Sequence, residues 1–259
     1  MRSVILQPHV AVQRSGDRFA TRIGWLESKH SFSFGPHYDP ANTHFGLLLV
    51  SNDDVVAPGT GFETHPHRDM EIVTWVLDGG LVHQDSIGHN GVIYPGLAQR
   101  MSAGTGILHS EKNDRPASLL VPDADVAVRP VHFVQMWVVP DEARVEPGYE
   151  QLDITDELER GGLVTVASGM ERHRGESAIQ IRQKHAALFA ARLSDGETIA
   201  LPTAPFVHLY VARGAVDLEA AGPLETGDAA RITAAEGQRV TARGPAEVLV
   251  WEMHATLAA

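Results

Sequence analysis

Gly61-Phe62-Glu63-Thr64-His65-Pro66-His67-Arg68-Asp69-Met70-Glu71-Ile72, and later Met101-Ser102-Ala103-Gly104-Thr105-Gly106-Ile107-Leu108-His109-Ser110-Glu111, decide how this chain reads. Side chains on a strand alternate between faces, so residues two apart point the same way. His65 and His67 flank Pro66 and present two imidazoles to one face. His109 and Glu111 flank Ser110 and present an imidazole and a carboxylate. Forty-four positions separate His65 from His109, and the interval holds three or four strand-sized pieces. That length brings the second pair back across a small barrel from the first.

The surroundings support a barrel. Short apolar runs lie between Gly, Pro, Asn and Asp clusters, the pattern of strands and turns. The first half offers Phe45–Val50, closed by the polar turn Ser51-Asn52-Asp53-Asp54, then Glu71–Leu77, Gly91–Tyr94, Ala98–Met101, Gly106–Ser110 and His132–Val139. Residues 141–162, with Pro147, Gly148 and the acidic run Asp153–Glu159, read as a linker with a short helical turn. Beyond Gly162, strands are expected at Leu163–Ser168, Ala187–Leu193, Phe206–Ala212, Ala215–Glu219, Asp228–Ile232 and Glu247–Met253. The expectation is an all-β chain of two barrels: residues 1–140, a linker at 141–162, and residues 163–259.

Composition narrows the chemistry. The chain has 259 residues, 43% hydrophobic and 21% charged, a globular balance. It has no cysteine, which excludes disulfides, thiolate ligands and cysteine nucleophiles. No apolar run is long enough to span a bilayer, and Met1–His9 lacks the apolar segment of a secretory leader. A cytoplasmic protein is expected. The net charge of −12 disfavours contact with nucleic acid or anionic lipid. Of fourteen histidines, ten precede residue 140, and the second half has no histidine pair at strand spacing. Metal chemistry is therefore expected in the first half. Three neutral imidazoles and a carboxylate suit Fe(II), Ni(II), Mn(II), Cu(II) or Zn(II), with iron(II) placed first. On an octahedral ion they leave two positions for substrate or O2.

Both quoted segments resemble the pirin family of bicupins. So do His30-Ser31-Phe32-Ser33-Phe34-Gly35 and Leu81-Val82-His83-Gln84-Asp85-Ser86-Ile87-Gly88. The matching motifs span roughly residues 30 to 140. The resemblance implies two cupin barrels (double-stranded β-helices), a metal in the N-terminal one only, and ligands at His65, His67, His109 and Glu111. It also implies activities. Some pirin-like proteins are similar to quercetinases, which open the central ring of a flavonol with O2 and release carbon monoxide. Glu111 would then be the catalytic base toward a small aromatic substrate. Other members act as metal-dependent partners of a transcription factor or a metabolic enzyme complex. A cupin that binds a sugar or a small acid is the third reading.

Glu71 competes with Glu111, because general cupins place a metal-binding glutamate a few residues after His-x-His. Glu111 is preferred, with Glu71 either supporting the ligands or structural. His83 and His89 flank a turn-rich stretch and either hold the ligands by hydrogen bonds or stabilise the turn. His132 is read as an interior histidine. Phe34, His37, Tyr38, Gln135, Met136 and Trp137 are candidates to wall an aromatic-substrate cavity. His173, His185, His208 and His254 are read as structural or exposed, and Asp153–Glu159 as a solvated face.

Overall fold

The computed structural model describes residues 7–114 and 129–257. Residues 1–6 of the stretch inspected for a leader lie outside them. Strands come in chain order as β1 (His9–Gln13), β2 (Phe19–Ile23), β3 (Leu26–His30), β4 (Leu48–Val56), β5 (Thr60–His67) and β6 (Glu71–Asp78). Then follow β7 (Leu81–Asp85), β8 (Asn90–Ile93), β9 (Leu97–Ser102), β10 (Ile107–Asn113), β11 (Val131–Val138) and β12 (Gly148–Asp153). A short helix, α1 (Thr155–Glu159), leads to β13 (Val164–Ser168), β14 (Ile179–Gln180), β15 (Ala186–Leu193), β16 (Thr198–Ala200) and β17 (Thr203–Arg213). The chain closes with β18 (Ala215–Leu218), β19 (Gly222–Glu225), β20 (Ala229–Glu236), β21 (Arg239–Ala242) and β22 (Ala246–Met253). The all-β expectation holds.

Each half pairs a large sheet with a small one. The first half has the seven-stranded order β12-β9-β6-β11-β4-β3-β2 and the four-stranded order β5-β10-β7-β8. The second has β1-β20-β17-β22-β15-β13-β14 and β16-β21-β18-β19. The chain start crosses between them: β1 pairs with β20, whereas β2 pairs with β3. Residues 148–153 join the first large sheet by pairing with β9.

The large sheets are buried on both faces, because each packs on its own small sheet and on the other large sheet. In β6, Val73, Trp75 and Leu77 enter a core cluster shared between the halves, while Ile72 and Val76 turn inward to separate clusters. Strand β22 mirrors this. Leu249, Trp251 and Met253 meet the shared core, and Val248 and Val250 face the second half's own interior. This two-sided burial explains why both strands read as continuous apolar runs. Each large aliphatic side chain so buried contributes roughly 1.5–3 kcal/mol. Polar contacts stitch the same interface: Trp75 Nε1 donates to Glu247 Oε1 at 2.6 Å, and Arg18 donates to Tyr210, Ser31 and the carbonyls of Lys29 and Ser51.

Strand β4 departs from its expected limits in a way that matters for the site. Ser51–Asp54 is not a turn; β4 starts at Leu48 and runs through these residues to Val56. Their polar side chains are partnered inside the protein. Asn52 accepts from His30, Asp53 takes His132 and Tyr210, and Ser28 hydrogen-bonds Asp54.

Candidate metal centre

The small sheet of the first half assembles the site. Strands β5 and β10 are antiparallel, with His65 directly opposite His109. A register shift between His109 and Glu111 follows, a bulge that re-aims the carboxylate. Gly61 makes that crossing possible: a Cβ there would lie 2.3 Å from the Glu111 carbonyl oxygen. On the other edge, β7 sets His83 opposite Glu111 and Asp85 opposite His109.

Three imidazoles converge. Ring centroids of His65, His67 and His109 lie 4.5 to 4.9 Å apart, and the Nε2 atoms of His65 and His109 are 3.0 Å apart. His65 Nδ1 donates to the Glu63 carbonyl at 2.7 Å, which leaves Nε2 with its lone pair toward the cluster. Buried His67 Nε2 has no hydrogen-bond partner among the described residues. Burial, then the neighbouring histidines, lowers the pKa of His67 to about 4 and of His109 to about 3. Both are therefore neutral at pH 7, the form that binds metal. An orphaned nitrogen beside two close-set ring nitrogens fits a divalent cation better than it fits mutual hydrogen bonding.

Glu111 stands beside this trio. Its Oε2 lies 4.0 Å from His109 Nε2. Gln135 Nε2 donates to both carboxylate oxygens at 2.9 and 2.7 Å, with Thr74 Oγ1 at 3.4 Å. Two ligand-sized groups emerge: His65, His67 and His109, and His83, His109 and Glu111, each with donor atoms within 4.8 Å. They share His109. His83 thus comes closer to the centre than its turn-rich context suggested; its Nδ1 is buried and without a partner among the described residues, and its ring lies tilted against those of His109 and Tyr149. The signal was its place in β7, two residues before Asp85, whose carboxylate contacts both His83 and His89.

Glu71 takes no part. It lies on the opposite face of β6 from Thr74 and accepts from Ser102 Oγ and the Arg182 backbone N–H at 2.9 and 3.0 Å. Of the proposed walls, Phe34, Gln135 and Trp137 line a cavity of about 290 Å³ together with Phe62, Leu26, His65, His67 and Glu111. Trp137 packs edge-on against His67. Met136 does not line it: it faces the shared core, where it accepts from Trp251 Nε1. Tyr38 is also absent, being 73% exposed. His37 stacks on Phe19 behind the cavity wall, and His132 pairs with Asp53 at 2.8 Å.

Comparison with known proteins agrees with this geometry. Residues 12–138 match the Pirin family profile, and residues 165–253 match that of the quercetinase C-terminal cupin domain. A Mycobacterium tuberculosis protein, named provisionally for quercetin 2,3-dioxygenase, is 57% identical over 248 residues, 96% of each chain. The chain belongs to the pirin family. The bacterial pirin YhhW of Escherichia coli, solved in complex with nickel(II), superposes with a TM-score of 0.82 at 33% identity, covering 96% of this chain and 100% of that one. An Escherichia coli quercetin 2,3-dioxygenase is 44% identical over 142 residues, 55% of this chain and 57% of its own. The two sheet pairs are thus the two cupin domains of a pirin. Among the described residues, no helix is long and apolar enough to cross a membrane.

Proposed function

We propose that this pirin is a metal-dependent dioxygenase that opens the central ring of flavonols such as quercetin with O2 and releases carbon monoxide. The carrying observation is the junction of an imidazole cluster, holding an unpartnered Nε2, with an aromatic-walled cavity. His65, His67, His109 and Glu111 are the ligand set, with iron(II) first among the candidate ions. When bound, the ion supplies Lewis-acid stabilisation of the substrate's negative charge and orients it.

The remaining work falls to the chain's own groups. Glu111 accepts the proton of the flavonol 3-hydroxyl as general base. Gln135 and Thr74 fix the plane of its carboxylate by hydrogen bonds to its oxygens. Phe34, Phe62 and Trp137 pack the aromatic ligand and displace water. O2 and the ring carbons then supply the atoms: both oxygens enter the opened product, and one ring carbon leaves as carbon monoxide.

The test loads the protein with each first-row divalent metal and follows loss of flavonol absorbance together with carbon monoxide release, with an anaerobic control. Oxygen-dependent turnover with at least one metal is expected. Its absence with all of them overturns the dioxygenase reading in favour of a non-catalytic, metal-dependent partner of another protein.

A further inference from the structure

A row of polar side chains runs across four neighbouring strands, and all of it but Thr74 lines the cavity. Thr74 on β6 is paired with Gln135 on β11, Gln135 with Asn52 on β4, and Asn52 with His30 on β3. In the adjoining row, Asp54 on β4 sits opposite Ser28 on β3. Strands lie about 4.8 Å apart, so this row runs roughly 14 Å from Thr74, beside the histidine cluster, to His30. Ser28, His30, Asn52 and Asp54 all line the cavity.

Most of this far cluster satisfies itself. His30 Nδ1 donates to Asn52 Oδ1 at 2.9 Å, and His30 Nε2 lies 3.0 Å from Thr21 Oγ1. Asp54 is the exception. Its side chain is buried, Ser28 hydrogen-bonds the carboxyl, and Oδ1 has no partner among the described residues. Other buried side-chain oxygens are unpaired among the described residues, Glu71 Oε1 included, but of these residues only Asp54 lines the cavity, where a ligand can supply the missing donor. Burial, reinforced by the Asp53 and Glu111 charges, raises the Asp54 pKa to about 7, so an anionic ligand group is unwelcome beside it. The flanking surface is apolar, from Leu26, Phe34 and Phe62.

We propose that Ser28, His30, Asn52 and Asp54 form a second recognition pole, where Asp54 Oδ1 accepts a hydrogen bond from a hydroxyl on the ligand ring remote from the histidine cluster. The ligand class is then an aromatic frame with a neutral phenolic hydroxyl at that end. This deepens the flavonol reading and rests on it in one arm of the test only. In that arm, metal-loaded protein is titrated anaerobically with quercetin and with 3-hydroxyflavone, which lacks the remote hydroxyls. Wild type should favour quercetin by roughly tenfold, the worth of one hydrogen bond to a buried carboxyl. Asp54→Leu should bring the ratio near one, and Asp54→Asn, which keeps an acceptor oxygen, should stay between.

The other arm needs neither metal nor flavonol. Metal-free protein is compared for phenol against toluene by ligand-observed NMR, in wild type and in both variants. Loss of the phenol preference in Asp54→Leu supports the pole, and an unchanged preference overturns it. Should the leucine variant fail to fold, the same comparison in Asp54→Asn decides. An Asp54-dependent phenol preference without flavonol turnover removes the dioxygenase reading and keeps the pole. Turnover with an unchanged quercetin ratio in Asp54→Leu does the reverse.

Discussion

The two halves share a framework and differ in what fills it. Each backs a seven-stranded sheet with a four-stranded one. In the second half, Val216, Leu218 and Leu224 from the small sheet close against Val207, Leu209, Val248 and Val250, and the interior is an apolar core. In the first half, the corresponding space holds His65, His67, His109 and Glu111, the last hydrogen-bonded by Gln135 and Thr74, and a cavity that reaches Asn52 and Asp54. The backbone plan alone therefore specifies no chemistry. The first half exchanges apolar burial for polar groups, several of them without a partner among the described residues. The second half and the shared core supply the cohesion that the site gives up.

That contrast is broken most sharply by replacing the proposed base. Glu111→Gln should cut turnover by roughly a hundredfold or more while retaining part of the bound metal; full activity would refute the role assigned to Glu111. Next in size is a backbone change beside the site. Gly104 has φ +46°, and a Cβ there would lie 2.1 Å from the Val145 carbonyl oxygen. Gly104→Ala should cost about 2–4 kcal/mol in denaturant unfolding, whereas Gly222→Ala, at φ +81° with open space around it, should cost less. Equal losses would show that the site loop is no more tightly packed than a turn of the second half.

The smallest effects are in pH dependence, and their signs oppose. Asp54 has its pKa raised from 3.8 to about 7, chiefly by burial. The folded state thus holds this proton more tightly, so the Asp54 contribution is fully present below about pH 4 and is lost as pH rises to about 7. His208, in the second half, is lowered from 6.5 to about 3 by burial and then by Arg231 and Arg18. Its contribution is present above about pH 6.5 and is lost as pH falls toward 3. Melting curves across this range should show Asp54→Leu flattening the first limb and His208→Leu the second, each by a few degrees. A variant that shifts every melting temperature equally would contradict its assignment.

Much of this was legible in the sequence, because strand parity and strand burial are written in residue order. His-x-His and His-x-Glu marked side chains that the structure brings together, and the apolar runs of β6, β11 and β22 marked the sheets that both halves bury. What escaped was polar. Ser51–Asp54 reads as a turn by composition, yet it is interior strand, because His30, His132, Tyr210 and Ser28 supply partners from other segments. The same long-range pairing hid the polar row along the cavity. Strands β1 to β3 mix polar and apolar residues and find their sheets only through β20 and β4. His83 looked like a turn residue because the contact that matters is across the sheet, to Glu111 on β10.

The central claim is one divalent ion held by the histidine cluster of the first half. Metal content of the purified protein and of the His65→Ala/His109→Ala variant, measured together with anomalous scattering from crystals of the wild type, tests it directly. The account predicts about one ion per wild-type chain, one anomalous peak between His65, His67 and His109 with Glu111 beside it, and a variant free of metal. Stoichiometric metal in that variant, or a peak elsewhere in the chain, would contradict it.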